Sequence, residues 1–359
     1  MLKELERLGV NKIPGSSVSV GVPYQDIPQA SIVGHRNNSR MRANRINEIV
    51  KIKDKTVLDL GCNVGTISQR LWHLGAIVTG VDYDQDSIDV ARALNPGPKY
   101  EVKTIDLDYI KSLPHFDVIV WVSQFMWLAK QKGLEYALDC LWEIGKHCDT
   151  LVFETAGKDD GSAPIDIHQN EIFSMLCKNS IFRDIVDTGQ WNDLWTPRNV
   201  FVCSDPLVTY HGFFADIYTG KRGELVKVFK NHEYGKELKR RSSMFLRMLG
   251  GYQHFPSFIS ENDDSITMPW CGPRTSHISG NDRDIIIGVL KLYGITHRDI
   301  RPDNLLFNGK NTVLIDFAFA IRPGELSQTS HDLGKPYKCP QGFNDDYSIR
   351  KVQQELLCR

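Results

Sequence analysis

The stretch VLDLGCNVG, residues 57–65, decides the fold of the first half of the chain. It is a short apolar run that leads into a turn with two glycines, and the helical pattern TISQRLWHLG follows directly. A strand that turns into an amphipathic helix in this way is typical of a parallel sheet whose glycines let a ligand approach the backbone. The spacing lacks the full G-x-G-x-x-G of a dinucleotide site, which argues against NAD.

The same alternation continues from Lys55 to about Val202. The runs AIVTGVD, DVIVWV and TLVFET have the character of further strands, and helical patterns such as SIDVARAL separate them. This alternation predicts an α/β, Rossmann-like, doubly wound sheet. The second strand ends at Asp82, about 20 residues after the glycine turn, where a carboxylate can accept both hydroxyls of a ribose.

Residues 55–202 resemble the class I S-adenosylmethionine-dependent methyltransferases in this turn and in the acid that follows it. The resemblance implies S-adenosylmethionine as cofactor, with Asp82 at the ribose. Asp106 and Leu107 match the positions that flank the adenine. The matching positions that cradle the methionine end are Asp59, Gly61, Cys62, Asn63 and Gly65. The alternative is a domain whose turn only packs, or which binds another adenosine ligand.

The residues that would bind the methyl acceptor in this half are harder to identify from the sequence. Residues 121–127, WVSQFMW, contain no obvious general base. A hydroxyl acceptor usually needs such a base, whereas a phosphate monoester is already anionic at pH 7, so methylation of a phosphate is compatible with this segment. Alternative bases from other loops are His115, Glu154 and His168.

Four arginines ahead of the sheet are candidates for binding a phosphate. Their planar forks can grip two phosphate oxygens, although a solvated helix face is the commoner explanation for a charge run. These residues are Arg36, Arg40, Arg42 and Arg45.

The stretch HRDIRPDN, residues 297–304, defines the second half. An aspartate, an asparagine five residues later and then a strand ending in VLIDF form the pattern of a kinase catalytic loop. The first aspartate would take the proton of the acceptor hydroxyl, and the other two residues would hold magnesium. The three positions are Asp299, Asn304 and Asp316.

Segments upstream of this loop agree with the same interpretation. The stretch GFFADIY, which begins at Gly212, and the turn that follows it resemble a reduced glycine-rich hairpin. Lys227 is predicted to reach the α- and β-phosphates of a nucleotide, with Glu237 as its helix partner. Met268 and Trp270, in the stretch MPWC, resemble the hinge that holds adenine.

Residues 206–359 thus resemble the protein-kinase-like superfamily, with departures. Only one of three loop glycines is kept, the metal motif is DFA, and Arg301 replaces the usual lysine, where it could stabilise the transferring phosphate. The stretch NDDYS, residues 344–348, resembles the start of the helix that buttresses the catalytic loop. Because the sequence stops at Arg359, we expect no lower-lobe helices for docking proteins, which disfavours a peptide acceptor. A pseudokinase is the alternative.

Composition limits the class of protein. The 359 residues suffice for two or three domains, and 41% hydrophobic and 24% charged residues indicate an ordinary globular chain. The net charge of -1 gives no reason to expect nucleic acid as a partner. The eight cysteines form no C-x-x-C pair, and neither a signal peptide nor a run of ~18 apolar residues is present. We therefore expect no transmembrane segment, and a location in the cytoplasm or at the inner face of a membrane through partners.

The predicted domains are an N-terminal loop or lid at 1–30, a methyltransferase domain at 31–205 and a compact α+β kinase-like domain at 206–359. In this order the two halves resemble the WbdD-type family of bifunctional methyltransferase/kinases that terminate O-antigen chains. VLDLGCNVG, TPRNVFVCSD and HRDIRPDN are among the shared motifs. The resemblance implies that a terminal sugar hydroxyl of a glycan is phosphorylated with ATP and Mg²⁺, and that the phosphate is then methylated.

The same resemblance implies glycan-polymerising enzymes as partners. We expect the coiled coil that recruits them in that family to be missing here, and the oligomeric state is open. One alternative is an independent methyltransferase for a small molecule or RNA, fused to a protein or small-molecule kinase. Another is a methyltransferase fused to a scaffold that binds ATP without turnover.

Overall fold

The computed structural model describes residues 25–28, 38–160, 165–191, 197–324 and 343–358. The described residues of Met1–Ile172 and Ile185–Pro206 form a first compact unit, and those of Phe173–Asp184 and Leu207–Arg359 form a second. The chain therefore passes into the second unit at Leu207, close to the predicted boundary between residues 205 and 206. Residues 173–184, however, do not follow the predicted division. The sequence assigned them to the methyltransferase domain, whereas they pack within the second unit. Most of the predicted lid at 1–30 lies outside the described residues.

The first unit is a doubly wound α/β sheet flanked by helices, which confirms the predicted fold class. Its seven strands lie in the order β3-β2-β1-β4-β5-β7-β6. The strands are β1 (Thr56–Leu60), β2 (Ile77–Asp82), β3 (Lys99–Val102), β4 (Phe116–Val122), β5 (Cys148–Glu154), β6 (Phe182–Trp191) and β7 (Arg198–Pro206). The helices are α1 (Ser39–Val50), α2 (Thr66–His73), α3 (Gln85–Leu94), α4 (Leu107–Lys111), α5 (Phe125–Lys132) and α6 (Leu134–Ile144).

Strands β1 to β5 run parallel, and β7 pairs antiparallel with β5. The central strand β1 is apolar because both of its faces are covered, and Val57, Leu58 and Leu60 are fully buried. The strand order reverses between β1 and β4, since β2 lies on the other side of β1. Ligands of such sheets bind in the crevice at the carboxyl ends of the strands beside this reversal.

The second unit combines an antiparallel sheet with helices around a separate core. The sheet order is β11-β12-β10-β9-β8, and a two-stranded ladder β13-β14 lies apart from it. The strands are β8 (Thr209–His211), β9 (Ala215–Thr219), β10 (Glu224–Phe229), β11 (Ser260–Glu261), β12 (Ser265–Pro269), β13 (Leu305–Phe307) and β14 (Thr312–Leu314). The helices are α7 (Ile172–Asn179), α8 (Glu233–Leu249), α9 (Gly280–Leu292) and α10 (Asp345–Leu357).

Helix α8 begins where His232 accepts a hydrogen bond from the Gly235 N–H, and α9 begins at the similar cap Ser279. Apolar residues of both helices, such as Phe245 and Ile286, share one buried cluster with Ile300 of the predicted catalytic loop. The core of this unit therefore includes the loop that carries the predicted chemistry. None of the helices in the described ranges has the length and apolar character needed to cross a bilayer.

The segment 173–184 is integral to the second unit. The indole Nε1 of Trp270 donates to the Cys177 carbonyl over 2.9 Å. Arg274 binds Asp184 through two nitrogens, at 2.6 and 3.1 Å. The Leu207 N–H donates to the Ile181 carbonyl over 2.8 Å. These bonds link the segment to the predicted hinge and explain why it belongs to this unit.

Candidate active sites

The first unit contains a cavity of about 420 Å³ at the carboxyl ends of its parallel strands. Its size suits a small organic ligand. Residues from the turn after β1, the end of β2 and the segment after β4 line the wall, and among them are Asp59, Gly61, Asn63, Asp82, Ser123 and Gln124. The fold thus brings four of the predicted cofactor residues to one wall.

Gly61 is required where the turn after β1 meets the cavity. Its φ is +79°, and a Cβ there would lie 2.0 Å from Cγ of Gln124. Only glycine fits both the left-handed backbone and this close approach. Asn63, at φ +51°, continues the turn and donates its backbone N–H to Asp82 over 2.9 Å.

Two buried carboxylates of the cavity have raised pKa values. Burial raises the pKa of Asp82 even though it accepts backbone N–H groups from Asn63 and Asp84 at 2.9 and 3.0 Å. Burial also raises the pKa of Asp59 to about 6; the Ser68 hydroxyl, which donates over 2.6 Å, opposes this shift, and the charge of Asp82 adds to it. An acidic wall of this kind suits ribose hydroxyls and a cationic group.

Several predicted cofactor residues do not line this cavity. Cys62 is buried in a separate cluster that includes Ile88 and Ala91, and Gly65 packs against Tyr100. Asp106 instead caps helix α4 by accepting the Tyr109 N–H, and the Leu107 N–H donates to the Tyr136 hydroxyl. Thr104 and Ile105 line the wall in place of Asp106 and Leu107, because β3 ends at Val102 and the next residues cross the carboxyl edge.

A buried ionic network meets the same cavity, and the sequence analysis did not identify it. The Glu154 carboxylate accepts from Arg42 at 3.2 Å, from Arg198 at 2.9 Å and from the Ser123 hydroxyl at 2.8 Å. Arg198 also binds Asp160 at 2.6 and 2.9 Å. Although burial favours the neutral acid, the two guanidinium groups hold the pKa of Glu154 below its usual range. Glu154 is therefore an ionised anchor rather than a proton acceptor.

The other predicted general bases and phosphate-binding arginines lie away from the cavity. His115 is exposed and pairs with Asp149, and His168 pairs with Asp159. Arg45 pairs with Glu48 at the surface, and Arg40 is exposed. Arg36 lies outside the described residues. Of the four arginines, Arg42 is thus the one that the described structure places on the cavity wall.

The second unit contains a cavity of about 290 Å³ that collects most of the predicted kinase residues. The predicted residues on its wall are Lys227, Met268, Trp270, Arg301, Asn304 and Asp316. Gly212 is not on the wall; its N–H closes the turn to the Ala215 carbonyl, and the neighbouring strand residues Tyr210 and Ile217 take that place.

The predicted catalytic loop, residues 297–304, is held by hydrogen bonds from within and from helix α10. The Asn304 amide nitrogen donates to the Asp299 carboxylate over 2.8 Å, and the Arg301 Nε lies 3.6 Å from the same carboxyl group. Asp345, in the predicted buttress NDDYS, accepts the backbone N–H groups of His297 and Arg298 at 2.6 and 3.1 Å. Burial raises the pKa of Asp299. Its higher basicity suits a group that accepts a proton.

Lys227 and Asp316 form the ionic centre of this cavity. The Nζ of Lys227 lies 2.7 Å from Oδ1 of Asp316. Burial opposes ionisation of Asp316, but the ammonium group of Lys227 holds its pKa below the usual range. Since the Asn304 nitrogen donates to Asp299, the amide oxygen of Asn304 is the atom suited to a cation. This donor set fits Mg²⁺, which usually takes one or two protein ligands together with substrate phosphates.

The structure contradicts Glu237 as the partner of Lys227. Its carboxylate binds Arg240 at 2.8 and 2.9 Å and Arg241 at 2.7 Å, and Arg241 in turn donates to the Ala320 carbonyl. The Arg240 hydrogen bonds, with Arg241, lower the pKa of Glu237 to about 2. Helical register explains the difference, because the face of α8 that lines the cavity carries Ser242.

A comparison with protein families identifies part of the first unit. The family model of a methyltransferase domain matches residues 57–145, from β1 to the end of α6. The part of the first unit from β1 to the end of α6 therefore matches a methyltransferase domain.

Two relatives match parts of the sequence, and one solved structure has been compared with the chain. The chain is 31% identical over 111 residues to the O-antigen chain terminator bifunctional methyltransferase/kinase WbdD of Escherichia coli, covering 29% of this chain and 16% of WbdD. It is 35% identical over 74 residues to the ubiquinone biosynthesis O-methyltransferase of Saccharophagus degradans, covering 20% of this chain and 28% of that enzyme. The matched regions thus span less than a third of these relatives. A crystal structure of monomeric WbdD is 20% identical, with a TM-score of 0.45, covering 99% of this chain and 93% of that one.

Replacement of the buried acid Asp59 tests the electrostatics of the first cavity. Because its folded pKa of about 6 exceeds the ordinary 3.8, ionised Asp59 destabilises the folded protein above pH 6. We expect Asp59→Asn to raise the free energy of unfolding at pH 8 by up to about 3 kcal/mol. This gain should shrink as the pH falls from about 6 towards 3.8, where wild-type Asp59 is increasingly protonated.

Urea denaturation at several pH values measures this difference. The exposed Asp108→Asn variant is the control, and it should show no such pH-dependent gain. Calorimetry should also show weaker binding of S-adenosylhomocysteine to Asp59→Asn. A stability difference that does not change with pH would contradict the account.

A second pair of substitutions tests the ionic centre of the second cavity. Lys227→Met should weaken binding of a non-hydrolysable Mg-ATP analogue by roughly tenfold to a hundredfold, because a charged hydrogen-bond donor is lost. Glu237→Gln should have a much smaller effect, like the exposed Glu233→Gln control on the same helix. Calorimetry measures all three affinities. If Glu237→Gln weakened binding as much as Lys227→Met, Glu237 would be the lysine partner after all.

Proposed function

We propose that the chain is a bifunctional transferase that phosphorylates a terminal sugar hydroxyl of a glycan with ATP and then methylates the new phosphate with S-adenosylmethionine. The observation that carries this proposal is that Lys227, Asp299, Asn304 and Asp316 come together in one unit of a chain whose other unit contains a methyltransferase domain. Similarity to a relative named as a bifunctional methyltransferase/kinase supports the pairing.

In the kinase-like unit, Asp299 takes the proton of the acceptor hydroxyl. The acceptor oxygen then forms a bond to the γ-phosphorus while the bond to the β–γ bridging oxygen breaks, and ADP leaves. Lys227 binds phosphate oxygens, and Asn304 and Asp316 would hold Mg²⁺, whose charge would neutralise those oxygens. Arg301, beside Asp299, stabilises the charge on the transferring group.

In the methyltransferase unit, the acidic wall formed by Asp59 and Asp82 binds the polar parts of the donor. When bound, S-adenosylmethionine supplies a methyl group on a positively charged sulfur. A phosphate oxygen is already anionic, so its methylation releases no proton and needs no general base. This agrees with the ionised state of Glu154 and with the positions of His115 and His168 away from the cavity.

The proposal predicts that methyl transfer to an unmodified glycan requires Mg-ATP. S-adenosylmethionine with a labelled methyl group is incubated with the protein and short glycans, with and without Mg-ATP, and label is counted in the glycan fraction. Asp299→Ala should lower ATP-dependent labelling by about 10²- to 10⁴-fold, because the proton acceptor is lost. Asp346→Asn, an acid at the surface of α10, is the matched control.

A glycan that already carries a phosphate gives the second arm of this experiment. Asp299→Ala should methylate it as well as the wild type does, because the kinase step is bypassed. Labelling of the unmodified glycan that is independent of ATP would separate the two activities and refute the sequential reaction.

A further inference from the structure

We propose that Arg42 and Ser123 form the subsite that binds the phosphate group of the methyl acceptor. This inference rests on the proposed function and names the residues that would select its second substrate. Both side chains line the cavity that also contains Asp59 and Asp82. Arg42 comes from helix α1, and Ser123 is the first residue after β4.

The charges of the cavity wall are separated into two regions. Three carboxylates lie at one side, from the ends of β1 and β2 and the turn after β2; these are Asp59, Asp82 and Asp84. At the other side the wall contains Arg42 and Ser123, and Nη1 of Arg42 donates to the Ser123 hydroxyl over 3.3 Å. A cationic methyl donor matches the acidic side, and an anionic acceptor matches the side of Arg42. A neutral hydroxyl acceptor would gain little from a guanidinium there.

The groups behind Arg42 hold it in place. Glu154 is fully buried and binds Arg42 over 3.2 Å, and the Trp191 ring lies 4.4 Å from the guanidinium carbon. Glu154 is itself held by Arg198, which also binds Asp160. Among the described residues that line the cavity, none of these four supporting residues appears.

Such an arrangement is not expected for stability alone. Replacing a buried ion-pair network by apolar residues is often neutral or stabilising, because removing charges from water is unfavourable. Ser123, moreover, has φ +59°, a backbone conformation that is unfavourable for a residue other than glycine. Its N–H donates to the Glu154 carbonyl over 3.1 Å, which fixes the hydroxyl at the edge of β4. Strained backbone of this kind concentrates at ligand sites.

The reaction at this subsite involves no proton. The bond between the methyl carbon and sulfur breaks with its electron pair on sulfur, and the phosphate oxygen forms the new bond to carbon. One positive and one negative charge are cancelled, and S-adenosylhomocysteine and a methyl phosphodiester are the products. Arg42 orients the anionic oxygen for this attack and remains charged throughout, while Ser123 supports that geometry.

A binding measurement tests the subsite without either chemical step. Protein saturated with S-adenosylhomocysteine is titrated with a panel of hexose monophosphates and with the unphosphorylated hexoses. The wild type should bind at least one monophosphate roughly tenfold more tightly than its hexose, as a charge-assisted hydrogen bond predicts. Arg42→Ala should lose this preference, and Arg42→Lys should keep only part of it, because lysine lacks the planar fork.

Arg45→Ala is the matched control, since Arg45 lies on the same helix but at the surface. The control should keep the full preference and bind S-adenosylhomocysteine as the wild type does. If Arg42→Ala fails to fold, Ser123→Ala provides the test and should reduce the preference by several-fold. A wild type without any preference for the phosphate, or a preference that survives in both variants, would overturn the proposal.

The outcomes separate this inference from the proposed function. A phosphate preference that depends on Arg42, together with labelling that ignores ATP, would keep the subsite and reject the coupled reaction. ATP-dependent labelling in a protein whose Arg42→Ala variant still prefers phosphate would keep the coupled reaction and reject the subsite.

Discussion

The parallel direction of β1, β4 and β5 is the constraint that positions the chemistry of the first unit. Because parallel strands end at one edge of a sheet, the turn after β1, Ser123 after β4 and Glu154 at the end of β5 come to the same place. The reversal of strand order between β1 and β4 opens the crevice there. Helix α1 then adds Arg42 across the same edge. The separation of acidic and basic groups in the cavity follows from this geometry.

In the second unit, hydrogen bonds rather than parallel strands position the polar side chains of the cavity. Its predicted catalytic loop follows a helix rather than a parallel strand, so hydrogen bonds from distant residues fix its shape. Asp345 accepts the N–H groups at the start of the loop, and Asn304 binds Asp299 within it. Residues 173–184 contact the predicted hinge region through Trp270 and Arg274.

Three buried carboxylates show that neighbouring charges decide whether the pKa of a buried acid ends above or below its usual range. Asp59 has an uncharged donor and another acid beside it, so burial raises its pKa to about 6. Glu154 is equally buried, yet two arginines hold its pKa below the usual range. Asp316 behaves like Glu154 because Lys227 lies 2.7 Å away. The first arrangement reduces stability when Asp59 is ionised, whereas in the second an opposite charge keeps the buried carboxylate ionised.

Sequence alone determined the two fold classes, the glycine turn and the catalytic loop, because these depend on residue type and spacing within about ten positions. Only the tertiary structure decided which residues meet across long separations. Glu154 lies 112 residues from Arg42 and 44 from Arg198, and strand order rather than local pattern joins them. The assignment of residues 173–184 to the second unit had no local signal either. Glu237 is wrong as the partner of Lys227. Successive residues of a helix point about 100° apart, and the packing of α8, which the local sequence does not reveal, decides which of its residues face the cavity.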